Sequence, residues 1–186
     1  MSLSRAEQIQ RLLAERSNIL ITFRKDITGD AIASASALSL FLEELNKNVD
    51  IVVDDFTLPR KYRFLEPAEQ IKSKPADLQK FIINMDIAER ELEHISYETK
   101  DDELNIYLTP EEGMYEEDDI KSIRSEFRYD LIITVDTHSL SELGAMYEEN
   151  TELFFNVPII NIDCSNKNEH YGHINFIDIT ATSSVE

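Results

Sequence analysis

This 186-residue chain has one cysteine, four glycines and 18 basic residues, and each scarcity closes off a class of protein. A lone thiol, Cys164, builds no internal disulfide framework and fits a reducing, cytoplasmic setting. Gly29, the single glycine after the first apolar run, suits a tight strand-to-helix turn; one glycine is not a phosphate-cradling P-loop. Against 37 acidic residues the bases leave a formal charge of −19. A chain so acidic is not built to bind duplex nucleic acid or an anionic membrane, because both need a basic face. There is no apolar run of membrane-spanning length, no repeat, and the polar start MSLSRAEQIQ does not read as a secretory signal.

The chain is 42% apolar and long enough for one domain with a sizeable core. The acidity is not spread evenly. Residues 1–85 hold 12 acids and 12 bases, residues 86–119 hold 14 and 2, and residues 120–186 hold 11 and 4. Most of the net charge therefore lies in one short central stretch.

Ile9, Leu12 and Leu13 recur at helical spacing, so the chain opens with an amphipathic helix. NILITF (18–23) is a continuous apolar run, the mark of a strand buried on both faces. A polar turn leads to an Ala- and Leu-rich helix over 31–47, and VDIVVDD (49–55) reads as the second strand. The pattern continues with FIINMDI (81–87), DLIITVDT (130–137), PIINIDCS (158–165) and INFIDI (174–179). The expected fold is α/β: a doubly wound, mainly parallel sheet of about five strands with helices on both faces. Several runs end in an acidic or hydroxyl residue, and open α/β sheets bind ligands at that end of their strands. Capping a helix or turning the chain is the bland alternative for each such Asp.

The acidic stretch, about 88–128, breaks this alternation. ISYET and LNIYLT read as a β-hairpin around Lys100-Asp101-Asp102, followed by a Pro-Glu-Glu-Gly break and a polar helix over 114–127. The hairpin is expected as an antiparallel addition to the sheet edge or as a projecting flap, with its charge as a solvated face.

Three segments, in order, resemble the motifs of the DHH-family phosphoesterases. That group includes RecJ exonuclease, small-RNA oligonucleotidases, cyclic-dinucleotide phosphodiesterases and exopolyphosphatase-related proteins. The segments are ILITFRKDITGDAIASASAL, DLIITVDTHSLSELG and PIINIDCSNKNEHYGHINFIDITATSSVE. The resemblance covers residues 18–65 and 130–186. It implies a single DHH-type domain over 1–186 and a chemistry based on two divalent ions, usually manganese, that activate water at a phosphoryl group. Family members continue from a helix start like ATSSVE into a second, substrate-binding domain, so the chain is expected to be the first domain of a longer protein.

Carried onto this sequence, the first motif's His-x-x-x-Asp-x-Asp falls on Arg24, Thr28 and Asp30. Asp136 stands for the second motif's Asp. In the third, Asp163 is kept while the two histidines are Cys164 and Ser165. Asn168, Tyr171-Gly172 and Asn175 also match. Arg24 cannot give up a proton to bind a metal. The three carboxylates suit at most one weakly held manganese or magnesium, and the family's two-manganese centre is not expected.

The resemblance thus points to Asp30, Asp136 and Asp163 as catalytic or metal-binding residues. Arg24 and Asn168 are the ligand-binding candidates, with Arg24 either pairing with these carboxylates or reaching a phosphate. Cys164 is more simply a small packed side chain than a nucleophile. His138, His170 and His173 miss the ligand positions and read as polar loop residues. Asp86 either joins the acidic cluster or caps a helix over 88–93. Thr22 and Phe23 read as plain strand residues.

Two functions stay open on these grounds. One is a phosphoesterase-like domain with a degraded metal site, hydrolysing little or nothing, that binds a nucleotide, oligonucleotide or other phosphorylated ligand, or a protein partner. The other is an active metal-dependent phosphodiesterase, oligoribonuclease or nucleotide phosphatase using the reduced carboxylate shell.

Overall fold

The computed structural model describes residues 4–75 and 78–186, and for 122–125 the backbone alone. In chain order the elements are α1 (Arg5–Glu15), β1 (Asn18–Phe23), α2 (Gly29–Glu44), β2 (Asn48–Ile51), β3 (Gln79–Met85), β4 (Leu92–Lys100), β5 (Glu103–Pro110), β6 (Ile120–Phe127), β7 (Leu131–Val135), α3 (Ala145–Glu148), α4 (Thr151–Asn156), β8 (Ile159–Asp163) and β9 (Ile174–Ile177). The chain forms two compact units, residues 1–78 with 127–186 and residues 79–126. No helix among the described residues is long and apolar enough to cross a membrane.

The larger unit is built on a five-stranded sheet in the order β2-β1-β7-β8-β9, with every pairing parallel. Continuous apolar runs make this possible, because successive side chains enter opposite faces and both faces are covered. Ile19, Ile21, Phe23, Leu131, Ile133 and Val135 pack with Ala31, Ile32 and Ala35 of α2 and, more loosely, with Ile9, Leu12 and Leu13 of α1. The intervening Leu20 and Ile132 pack instead with Leu143, Met146, Leu153 and Phe154 around α3 and α4. Counting β7, β8 and β9 as third to fifth strands, the order is 2-1-3-4-5 and reverses between β1 and β7. Such a reversal opens a crevice at the carboxyl ends of the strands.

The smaller unit carries the departures from expectation. The 81–87 run leaves the parallel sheet, and β3 pairs with β6 in a separate two-stranded sheet. The helix expected over 114–127 is instead a single 3-10 turn, Glu117–Asp119, followed by β6. Ile120, Ile123 and Phe127 have helical spacing, but a partner strand supplies the backbone hydrogen bonds and overrides local preference. No helix forms over 88–93 either. Asp86 closes a turn, accepting from Ala88 N–H at 3.0 Å, and pairs with Lys121 at 2.7 Å. β4 and β5 form the expected hairpin, with Asp101 and Asp102 both at positive φ (51° and 64°) as a tight right-twisted turn requires. The hairpin is a sheet of its own, not an addition to the parallel one. The final segment, ATSSVE, forms bends and a turn rather than a helix.

Candidate functional site at the strand ends

Three loops leave the carboxyl ends of β1, β7 and β8, the strands flanking the reversal. After β1 the chain turns through Thr28, the N-cap of α2, whose hydroxyl accepts from Ala31 N–H at 3.0 Å. The same hydroxyl donates to Asp136 Oδ2, so one side chain closes the helix start and joins it to the end of β7. Asp136 sits just past β7 at φ 46°, a left-handed conformation uncommon for a non-glycine residue and one that recurs at functional sites. Burial pushes its carboxyl above the usual range, and the charges of Asp163 and Asp30 add to this; Thr28 and Arg24 only partly oppose them.

Asp163, at the end of β8, is nearly fully buried and held from several sides. Its Oδ1 accepts from the backbone N–H groups of Cys164 (2.8 Å) and Ser165 (3.1 Å). Its Oδ2 accepts from Asn168 Nδ2 at 2.7 Å and lies 3.0 Å from His138 Nδ1. On its other side His138 Nε2 is 3.1 Å from Arg24 Nη1. A guanidinium only donates, so Nε2 accepts and the imidazole carries its proton on Nδ1, toward Asp163. Arg24 also lies 3.7 Å from Glu142, whose other oxygen accepts from His138 N–H at 2.8 Å. Among the described residues its Nε has no hydrogen-bond partner.

An amide ladder holds this arrangement from below. Asn168, read from sequence as a ligand contact, is 7% exposed and spends its amide on Asp163, Asn161 and the Thr137 carbonyl. Asn161 donates to Asn168 at 2.8 Å and to Asn175 at 3.0 Å, and Asn175 in turn bonds both backbone groups of Gly172. A β-carbon at Gly172 would stand 2.8 Å from that of Asn161, so the chain passes too closely there for any other residue. Tyr171 brings its hydroxyl within 2.7 Å of Thr134 and 3.1 Å of the Thr137 carbonyl.

Asp30, in the first turn of α2, accepts from the backbone N–H (3.0 Å) and hydroxyl (2.8 Å) of Ser184 and from Ser34 at 3.3 Å. Cys164 lies beside Ser184, its thiol pushed up by burial and by the charges of Asp163, Asp30 and Asp136. A thiol so placed stays protonated and is no nucleophile. Ser165 turns on itself, accepting from Lys167 N–H at 3.2 Å. His170 is exposed, and His173 accepts from Ile159 N–H at 3.1 Å, away from the carboxylates. Thr22 and Phe23 are buried strand residues, and Asp86 belongs to the smaller unit.

His138 lies in a polar loop as read, and there it does more than the sequence reading assigns, linking Arg24 to Asp163 at the centre of the cluster. Glu142 and Asn161 belong to the cluster as well, although no motif points to them. The signals were present: His138 follows the strand-end Asp136 by two residues, and Asn161 lies two residues before Asp163 in a strand that is otherwise apolar. Asn161 is fully buried, and a buried amide must be matched. No group of three or more His, Cys, Asp or Glu side chains among the described residues is arranged to hold a metal ion.

The fold defines a doubly wound α/β domain with a polar cluster at its topological switch point. No protein-family model matches the sequence, and no curated protein matches it. The structure is similar to that of an exopolyphosphatase-related protein from Bacteroides fragilis, with a TM-score of 0.61 and 15% identity. The similarity covers 97% of this chain and 40% of that one, so the chain spans less than half of its structural neighbour. At this identity the likeness is one of fold.

Proposed function

We propose that the chain is a DHH phosphoesterase-like domain with a degraded two-metal site, which binds a phosphorylated ligand at the strand-end crevice and hydrolyses little or none of it. The observation that carries this reading is the placement of Arg24. Its guanidinium stands at the first motif's histidine position, joined through His138 to Asp163, and the side chain keeps 21% of its surface exposed although Nε itself is buried. A fixed, partly exposed cation at this position is suited to a phosphate oxygen.

The donor set does not suit a pair of manganese ions. Both oxygens of Asp163 already accept from backbone, amide and imidazole, and Asp30 is taken up by Ser184 and Ser34. The imidazoles that would complete two coordination shells are Arg24, Cys164 and Ser165 in this chain.

A basic loop supports the phosphate reading. Tyr62 packs on Gly29 so closely that a β-carbon there would collide with its hydroxyl, and Lys61 Nζ lies 4.8 Å from the centre of the Tyr62 ring. Arg60, Lys61 and Arg63 are exposed and have no acidic partner among the described residues. In a chain of net charge −19, three unpaired cations beside the start of α2 favour capture of an anion.

The test is calorimetric titration of the purified chain with manganese and, separately, with a mononucleotide, a short oligonucleotide and inorganic polyphosphate. Arg24→Gln and Asp136→Ala serve as controls. Phosphate-ligand binding lost in Arg24→Gln, with no stoichiometric binding of two ions, is the expected result. Tight binding of two ions, with turnover abolished in Asp136→Ala, would instead establish an active phosphodiesterase working with the reduced carboxylate shell.

A further inference from the structure

The β4–β5 hairpin has a bare apolar face that its own unit leaves uncovered. Strand register puts Ile95 opposite Leu108, Tyr97 opposite Ile106 and Thr99 opposite Leu104. These six side chains share one face, since residues alternate between the two sides of a strand. The other face carries Ser96 opposite Tyr107, Glu98 opposite Asn105 and Lys100 opposite Glu103, with the Tyr107 hydroxyl bonded to Glu98 at 2.6 Å. The ribbon is thus amphipathic, yet Ile95, Tyr97, Leu104 and Ile106 are 58%, 77%, 62% and 47% exposed. A two-stranded ribbon without a covered apolar face is marginal in water. A contiguous strip of exposed apolar side chains marks a place where something docks.

Charge selects the occupant. Residues 79–126 hold 15 acids and 5 bases. Arg90 is committed to Asp119 at 2.9 Å and Lys121 to Asp86 at 2.7 Å. Acids flank the ribbon at both ends, Glu91 and Glu93 with Glu111 and Glu112 at one and Asp101, Asp102 and Glu103 at the other. A second copy would bring a like-charged rim against this one, and an anionic membrane or nucleic acid would be repelled in the same way. What fits an apolar strip inside an acidic rim is a polypeptide with apolar side chains on one face and Lys or Arg beside them. We propose that the face formed by Ile95, Tyr97, Leu104, Ile106 and Leu108 is a docking surface for a cationic amphipathic protein segment.

The test uses the full chain and two synthetic amphipathic peptides, one of Leu and Lys and one of Leu and Glu, with binding read by fluorescence anisotropy. The Leu/Lys peptide should bind, more weakly as salt rises, and the Leu/Glu peptide should not. Tyr97→Ser/Ile106→Ser should weaken binding about tenfold or more, from the lost apolar burial. Ser96→Ala on the opposite face should leave it unchanged. Leu104→Ser, a milder change on the same face, should weaken binding in the same direction and serves if the double variant misfolds. Affinity equal in the face variants and wild type would mean bare charge attraction and overturn the proposal, as would binding of the Leu/Glu peptide or of neither. A concentration-dependent dimer in sedimentation, abolished by the face variants, would show a second copy as the occupant and overturn it too.

Discussion

β7 and β5 are both rich in branched residues, but they lie in opposite surroundings. Leu131–Val135 is buried at every position, whereas Glu103–Pro110 exposes most of its side chains. The difference lies in pattern rather than composition. An unbroken apolar run asks for cover on two faces and obtains it from α2 on one side and from α3 and α4 on the other. An alternating run asks for cover on one face, and in the smaller unit that face stays open. Charge follows the same division. Around the crevice the carboxylates are buried or half-buried and answered by specific donors, while the acids of the smaller unit are mostly solvated.

The contrast is open to direct attack, most forcefully in the apolar residues. Ile133→Ala should cost about 3–4 kcal/mol, since it opens a cavity in a packed core. Ile106→Ala should cost under about 0.5 kcal/mol, as exposed substitutions do. Urea unfolding of both variants measures the pair, and a comparable loss at Ile106 would mean that the ribbon face is covered within the chain itself.

Buried and exposed carboxylates should differ next. Asp163→Ala takes one acceptor from Asn168, leaves His138 Nδ1 and two backbone N–H groups without one, and should cost about 2–4 kcal/mol. Asp119→Ala removes a partly exposed partner of Arg90 and should cost about 1 kcal/mol or less. Equal losses in the same urea experiment would put the strand-end cluster on the footing of a surface ion pair. Thr28→Val comes lower in the order. Loss of the α2 cap should cost about 1 kcal/mol, and without the hydroxyl donor Asp136 should titrate still higher, as followed by carboxyl-carbon NMR.

The smallest effects concern pH, and here the two regions have opposite signs. Asp136 has a raised folded pKa, so the native state holds its proton longer than the unfolded chain does. Its contribution to stability therefore falls as pH rises from the ordinary carboxyl range through the folded value. Asp136→Asn removes that slope, and asparagine tolerates the left-handed backbone there. The variant should be the more stable at neutral pH, with the gap closing in acid. Asp86 is shifted down by its hydrogen bond from Lys121, so whatever it contributes is present above the carboxyl range and lost as pH falls. Stability-against-pH curves for Asp136→Asn and Asp86→Asn should diverge from wild type in opposite senses. A variant Asp136→Asn less stable at pH 7 would show that Arg24 fully compensates the buried charge.

Much of the larger unit is legible in the residues. NILITF, DLIITVDT and PIINIDCS become β1, β7 and β8 nearly as read, and the acids ending the last two, Asp136 and Asp163, come close enough for the charge of one to act on the other. The smaller unit is less so. A run such as FIINMDI has the composition of a core strand, and nothing within it says whether its neighbours will be β1 and β7 or the distant Ile120–Phe127. The same limit applied at the site. Asp136 and Asp163 announce themselves as strand-end acids, but His138 and Glu142 reach the cluster because the chain after Asp136 folds back through a 3-10 turn at Leu140–Leu143.

The sequence by itself determined the α/β class, the parallel strands that form the core, the hairpin with its Asp-Asp turn, and the carboxylates at the strand ends. These follow from periodicity, turn chemistry and local capping, which act over a few residues. Tertiary structure alone decided that β3 would desert the main sheet for β6, that a helically spaced segment would be a strand, and that Arg24, His138 and Asp163 would form one chain of contacts. Each of those outcomes depends on hydrogen-bond partners more than twenty residues away, where local spacing carries no information.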